Sequence, residues 1–315
     1  QFENMSSTSA SPSGFPLGFP YRQERDGVWG EPTSTLNWCE EDYNISPYVA
    51  EFVNTFTNLI FIWLGVKGIR NCIANDFSLA LTLSFVGYVV IGLGSMAFHG
   101  TLWYSMQLAD ELPMIWTVCV MAQVTFSYGK SKASSILLGL VFAGVAAFVT
   151  IYYVTNKNPV FHQVAYASIT IGVVVAGALS TKYELEPALK KRSPLQADKI
   201  MKQMWTLMTL GVGLFLLAFA IWMYDIVYCH HLVSWRSHML LPWSVVLEGH
   251  GWWHILTGLG AYNLIVWRVW LSCCLDGKED AFELRRITLL RVPEVVPIGH
   301  KTNGVKSQKP KPKTT

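Results

Sequence analysis

Histidines four residues apart on a helix present their imidazoles on one face, the spacing with which a helix offers two ligands to one metal ion. His250 and His254 stand so in Glu248-Gly249-His250-Gly251-Trp252-Trp253-His254, inside a long apolar run. Ser95 and His99 repeat the spacing at the end of another apolar run, Gly94-Ser95-Met96-Ala97-Phe98-His99. Shortly afterwards Ala109-Asp110-Glu111-Leu112-Pro113 opens a third run with an acid. Ionisable groups within apolar helices are expensive to bury and mark functional sites by default. Three neutral imidazoles with an open fourth position describe a catalytic zinc site, which generates a nucleophile from water near neutral pH. Taken singly, each residue has a plainer role. A membrane histidine bonds one helix to another, Asp110 caps a helix, and Ser95 packs as a small residue beside Gly92 and Gly94. The remaining histidines, His162, His230, His231, His238 and His300, have no such grouping, and the His230-His231 pair reads as a solvated part of a loop.

A second constellation precedes the first apolar run: Asn37-Trp38-Cys39-Glu40-Glu41-Asp42, then Glu51. It offers hard oxygen ligands of the kind calcium takes. Spacing alone favours a solvated acidic loop, although Glu51 stands where an apolar helix begins. Asn44-Ile45-Ser46 is a glycosylation sequon followed by Pro47.

These residues must be positioned by membrane helices. Of 315 residues, 51% are hydrophobic and 14% charged, with a net charge of +3, and the mean hydropathy is +0.31. Soluble domains carry about 25% charged residues. No basic stripe interleaved with aromatics points to nucleic acid, and the first fifty residues contain no apolar segment of signal-peptide type. Apolar runs at 52–71, 78–102, 109–128, 134–154, 160–180, 204–228 and 243–272 predict an all-α, polytopic protein of seven transmembrane helices; the runs are too long and too uniform for a β-barrel. Residues 1–21 read as a disordered tail, with 1–4 an expression remnant before Met5, and 22–51 as a lumenal segment. Residues 52–274 form the membrane domain, and 275–315 a charged cytosolic tail without regular structure, ending in Lys309-Pro310-Lys311-Pro312-Lys313.

Short-loop basic residues set orientation. Lys67, Arg70, Lys130, Lys132, Lys182, Lys190, Lys191, Arg192, Lys199 and Lys202 collect on one side, and only Lys157 and Arg236 on the other. The N-terminus is therefore expected in the lumen and the C-terminus in the cytosol. His99, Asp110, His250 and His254 then share one depth near the lumenal face. Only Cys39 and Cys229 fall on the oxidising side, where they either form a disulfide or stand as two free thiols. Cys273 and Cys274 lie at a cytosolic helix end, where palmitoylation is an option.

At these residues the sequence resembles the alkaline ceramidases, including fungal ones. The motifs are Trp29-Gly30 with Thr33-Ser34-Thr35; Trp38-Cys39-Glu40-Glu41; Gly94-Ser95 with Phe98-His99; Asp110-Glu111-Leu112-Pro113-Met114; and His250-Gly251-Trp252-Trp253-His254-Ile255-Leu256-Thr257-Gly258. The similarity runs in order from about residue 28 to 265. It implies a seven-helix hydrolase fold with zinc on His99, His250 and His254, and Ser95 and Asp110 as catalytic neighbours. It implies calcium on Asn37, the Trp38 carbonyl, Glu40, Asp42 and Glu51, and a Cys39–Cys229 bridge. It also implies a membrane-embedded ceramide substrate, hydrolysed to a sphingoid base and a fatty acid, and residence in the endoplasmic reticulum or Golgi. This chain departs from the family pattern at Asn37, where Asp is more usual, at His99-Gly100-Thr101-Leu102-Trp103-Tyr104, and at Ala109. Rival readings are a related zinc hydrolase acting on another lipid amide or ester, and a seven-helix receptor with structural zinc. A transporter is disfavoured by the lack of internal repeats.

Overall fold

A computed structural model describes residues 18–20, 25–286 and 292–299. Most of the 1–21 tail and the Lys/Pro run lie outside those residues. The chain is built from helices α1 (Phe52–Thr57), α2 (Leu59–Ala74), α3 (Leu79–Thr101), α4 (Tyr104–Ser127), α5 (Lys132–Asn156), α6 (Pro159–Ser180), α7 (Glu186–Arg192), α8 (Pro194–Val227), α9 (Cys229–Met239) and α10 (Gly249–Leu275). Among the described residues, six helical stretches are long and apolar enough to cross a membrane: Phe52–Ala74, Leu79–Thr101, Lys132–Asn156, Pro159–Arg192, Pro194–Val227 and Gly249–Leu275. The seventh expected span, α4, has the length but carries Gln107, Asp110, Glu111 and Gln123, and does not reach that apolarity.

Several boundaries differ from expectation for physical reasons. The first run is interrupted at Asn58, whose buried side chain bonds the Asn54 carbonyl at 2.8 Å. The run expected to end at 180 continues through a π turn, Thr181–Leu185, into α7. That extension is basic and lies beyond the hydropathy signal. The helix expected from 204 begins at Pro194, a residue well suited to a first helical turn. The segment holding His230 and His231 is helical, not loop; both remain exposed on α9.

The region after 275 also carries structure. Strands β1 (Phe282–Arg286) and β2 (Pro293–Pro297) pair antiparallel. This hairpin is tied to the helix ends: Lys67 bonds Glu294 at 2.8 Å, Asn71 bonds the Val295 carbonyl at 3.0 Å, and Tyr262 bonds the Pro293 carbonyl at 3.1 Å. Its charge hid an alternation in which Phe282 and Leu284 pack against the core while Glu283 and Arg285 pair with each other.

Helix α10 is the centre of the bundle, buried along most of its length and packed on α1, α2, α3 and α8. Trp270, Tyr262, Phe85 and Tyr88 fill the core beneath the site. On α5 and α6, Leu137, Leu140, Phe148, Ile151 and Val175 stay exposed, as lipid-facing surfaces do.

Candidate functional site: a buried three-histidine centre

Helices α3 and α10 bring His99, His250 and His254 together, with ligand-capable atoms within 4.8 Å of one another. All three are buried, and their ring centroids lie 4.6–5.0 Å apart. Two of the imidazoles are oriented from behind. Glu51 hydrogen-bonds His99 Nδ1, and with Glu51 ionised the donor is Nδ1–H, which leaves the Nε2 lone pair free. Thr57 lies 3.0 Å from His254 Nδ1 and gives its own proton to the Val53 carbonyl at 2.8 Å. Asn58 Nδ2 lies 3.2 Å from the same nitrogen, so Thr57 and Asn58 together hold the Nδ1 edge of the ring and leave Nε2 on the side of the cluster. His254 Nε2 points toward the Ser95 hydroxyl, 3.5 Å away. His250 Nδ1 is buried with no protein partner. This donor set, with carboxylate and hydroxyl groups fixing the far nitrogens, is the arrangement of metal-ligating histidines.

Ser95 lies one turn before His99 on α3 and hydrogen-bonds Asp110 on α4. Gly94 makes that approach feasible. A Cβ there would strike the Ala109 carbonyl and come 2.9 Å from the Asp110 nitrogen. Asp110 is half-buried, whereas Ser95 and the histidines are nearly inaccessible. The acid thus forms the open side of the cluster.

The N-terminal segment closes the other side. The last carbonyls of α3 lack helical partners, and this segment supplies them: Glu51 N–H to His99 at 2.9 Å, Ala50 N–H to Gly100 at 3.0 Å, and Thr33 and Ser34 N–H to Leu102 at 3.0 Å. The Trp38 ring stacks on His250 at 4.3 Å. Glu40 accepts the Val53 and Asn54 N–H groups at 2.6 and 2.8 Å, which caps α1. Glu51 also takes the Trp38 N–H at 3.3 Å and the Asn54 amide at 3.2 Å. Asn37 donates to Asp42 at 3.2 Å. Burial, then the neighbouring Glu51 charge, pushes the Glu40 carboxyl up to about 8. Burial likewise pushes Glu51 up to about 8. Among the described residues these acids do not gather as the three histidines do: Glu40 is turned to the start of α1 and Glu51 to His99.

Cys39 and Cys229 form a disulfide with Cα atoms 5.4 Å apart. Beside it, the fully buried Arg236 bonds Glu248 and the Cys39 carbonyl. Asp225 receives the Gly249 N–H at 3.0 Å, which secures the start of α10 one residue before His250. Asp225, Thr57 and Asn58 were not anticipated from sequence, and Arg236 only as a loop charge. Asp225 is an acid within an apolar run and could have been found by the rule that located Asp110. Arg236 could not, because it lay in an apparent loop. His162, expected to stand apart from the histidine cluster, lies outside it, buried and bonded to the Glu111 carbonyl at 2.8 Å.

Fold and site together define a polytopic helical membrane protein with a buried histidine centre, flanked by a serine–aspartate pair. The family model for ceramidases matches residues 30–296, and the chain belongs to that family. It is 38% identical to alkaline ceramidase YPC1 of Saccharomyces cerevisiae over 76% of this chain and 77% of that protein. It is 36% identical to alkaline ceramidase 3 of Mus musculus over 78% and 87% respectively, and 27% identical to an alkaline ceramidase of Arabidopsis thaliana over 75% and 84%.

Proposed function

We propose that this chain hydrolyses the amide bond of ceramide within the membrane, at the centre formed by His99, His250, His254, Ser95 and Asp110. The observation that carries this reading is the convergence of three buried imidazoles from α3 and α10 beside a Ser95–Asp110 pair. Membership in the ceramidase family supports the substrate.

His99, His250 and His254 would hold zinc, which acidifies water and polarises a carbonyl when bound. The chain's own groups do the rest. Asp110, at the open side, accepts a proton from the attacking water. Once protonated, Asp110 no longer holds the Ser95 O–H, which turns to the carbonyl oxygen as that oxygen gains charge; a donor of this kind contributes about 3–4 kcal/mol. Asp110 then returns the proton to the departing nitrogen, releasing a sphingoid base and a fatty acid. Buried Phe98 and Leu102, with the half-buried Trp38 ring stacked on His250, limit access of bulk water. The half-exposed Asp110 side is where a substrate with two lipid tails would enter.

Asn37, the Trp38 carbonyl, Glu40, Asp42 and Glu51 would hold calcium, neutralising the buried Glu40 and Glu51 carboxylates and stiffening the segment that stacks on His250. With α4 as a seventh span, the N-terminus would be lumenal and the C-terminus cytosolic, in endoplasmic reticulum or Golgi membranes. The basic-residue distribution and the disulfide at the proposed lumenal end favour that orientation.

The test incubates purified detergent-solubilised protein with long-chain ceramide and follows free sphingoid base. Release should stop with a zinc chelator and return with added zinc. No release by a zinc-loaded preparation would transfer the centre to another lipid amide or ester, or to a receptor.

A further inference from the structure

Asp110 sits on a weak part of its helix. Pro113 lacks an N–H, so the Ala109 carbonyl has no donor four residues on. The start of α4 is held by the N-terminal segment, where Thr33 Oγ1 accepts the Tyr104 N–H at 2.9 Å, so the weak point is the proline turn. The turn that carries the acid is thus short of backbone support, although about 1 Å of displacement at a reacting group can change a rate a hundredfold.

On the face of α4 turned away from Ser95 lies a buried polar network that the reaction does not use. Gln107 and Glu111, one turn apart, are 0% and 7% exposed. Glu111 accepts hydrogen bonds from Tyr153 of α5 and from Gln107, the latter at 3.2 Å. The Gln107 amide also contacts the Tyr153 hydroxyl at 3.1 Å, and its oxygen accepts the Thr35 N–H of the N-terminal segment at 2.8 Å. His162 of α6 reaches the main chain itself, bonding the Glu111 carbonyl at 2.8 Å. Three separate elements therefore grip α4 at residues 107 and 111, while Ser95 and Gly94 meet it at 109 and 110.

We infer that Glu111 is a positioning residue: with Gln107, Tyr153 and His162 it fixes the proline-weakened turn of α4 so that the adjacent Asp110 stays on Ser95. This rests on the ceramide-hydrolase reading of Asp110. The network lets Glu111 act through hydrogen-bond acceptance rather than proton transfer to substrate, because its carboxylate faces α5 and α6.

The experiment compares Glu111→Leu, Glu111→Gln and Tyr153→Phe with the native chain in detergent. Two quantities are read: kcat and KM for ceramide at equal zinc content, and deuterium uptake in peptides spanning 104–115. Glu111→Leu should lower kcat by about tenfold or more with KM within about twofold, and should speed exchange of those amides. Glu111→Gln keeps the acceptor oxygen and should restore kcat to within about threefold. Tyr153→Phe removes one hydroxyl and should fall between them, and it decides the matter if Glu111→Leu does not fold. Native kcat in Glu111→Leu or Tyr153→Phe overturns the proposal. So does a Glu111→Gln protein as inactive as Glu111→Leu, which would give the carboxylate a direct chemical role. If the native protein hydrolyses no ceramide, the functional reading fails instead. The exchange measurement then still decides whether the network holds α4, and unchanged uptake in Glu111→Leu refutes it.

Discussion

Adding a single methyl group at Gly94 should separate Ser95 and Asp110, the proposed catalytic pair, without touching either side chain. A Cβ at this position lies 2.5 Å from the Ala109 carbonyl carbon and closer still to its oxygen, whereas real Cβ contacts essentially never fall under 3.0 Å. Both obstacles are backbone, so no side-chain rotation relieves them. Helix α4 must retreat by about 1 Å, enough to break the Ser95–Asp110 hydrogen bond and lower kcat by about a hundredfold, or roughly 2.7 kcal/mol of transition-state stabilisation. The histidines sit on α3 and α10, so zinc content should stay near native. Overpacking also destabilises by about 1–3 kcal/mol, so activity is normalised to protein that is monodisperse and zinc-loaded. The assay is release of sphingoid base from long-chain ceramide at several substrate concentrations, which separates kcat from KM. A Gly94→Ala enzyme with native kcat would refute the requirement for close α3–α4 contact, and with it the paired roles of Ser95 and Asp110.

Three further outcomes are expected. Glu51→Ala removes the carboxylate from His99 and should weaken zinc affinity about 10–100-fold, whereas Glu51→Gln, which can still accept from Nδ1–H, should lose less; competition with a zinc chelator at saturating calcium measures this, and equal affinities would dismiss the orienting role. The Cys39–Cys229 bridge closes a 190-residue separation, for which chain entropy sets an upper bound near ~5 kcal/mol, reduced because helices persist in the unfolded membrane state; Cys229→Ser should lower Tm by roughly 5–10 °C, and an unchanged Tm would show the bridge to be incidental. At the opposite end, burial raises the Glu279 carboxyl, but the Arg192 guanidinium, its own backbone N–H and the Ser193 hydroxyl outweigh that and hold it below its ordinary value of 4.5; its contribution to anchoring Arg192 is fully present above pH 4.5 and is lost as pH falls through the lowered value, so protease sensitivity around 276–281 should rise under acid in the native chain and be independent of pH there in Glu279→Gln.

The part of the site carried by regular apolar helices was legible from sequence. His99, Ser95, His250 and His254 are exceptions in otherwise apolar runs, and a 3.6-residue repeat fixes which of them share a face. The same rule singles out Asp110. The groups that orient them were not legible, because their partners are distant in sequence: Thr57 is 197 residues from His254, and Glu51 is 48 from His99. Neither periodicity nor spacing encodes such pairings. Composition also misled at the ends of the membrane domain. Lys182 to Arg192 and the strands Phe282–Arg286 and Pro293–Pro297 are too charged or too short for a hydropathy signal, yet each is held by contacts with helix ends, as with Arg192 and Glu279 at 2.7 Å.

The N-terminal segment shows why an acidic loop could not be dismissed as solvated. Its carboxylates are buried at sites where backbone donors would otherwise be orphaned: Glu40 at the start of α1, and Glu51 between Trp38 and Asn54. In the same stretch it supplies N–H groups to the end of α3 and an aromatic face to His250. A helix terminus left without such partners is destabilised by each unsatisfied group, so the segment and the histidine-bearing helix ends stabilise one another. It follows that a cation bound by Glu40 and Glu51 would act on the histidine centre through two short routes, the Glu51–His99 bond and the Trp38–His250 stack, without contributing a ligand to it.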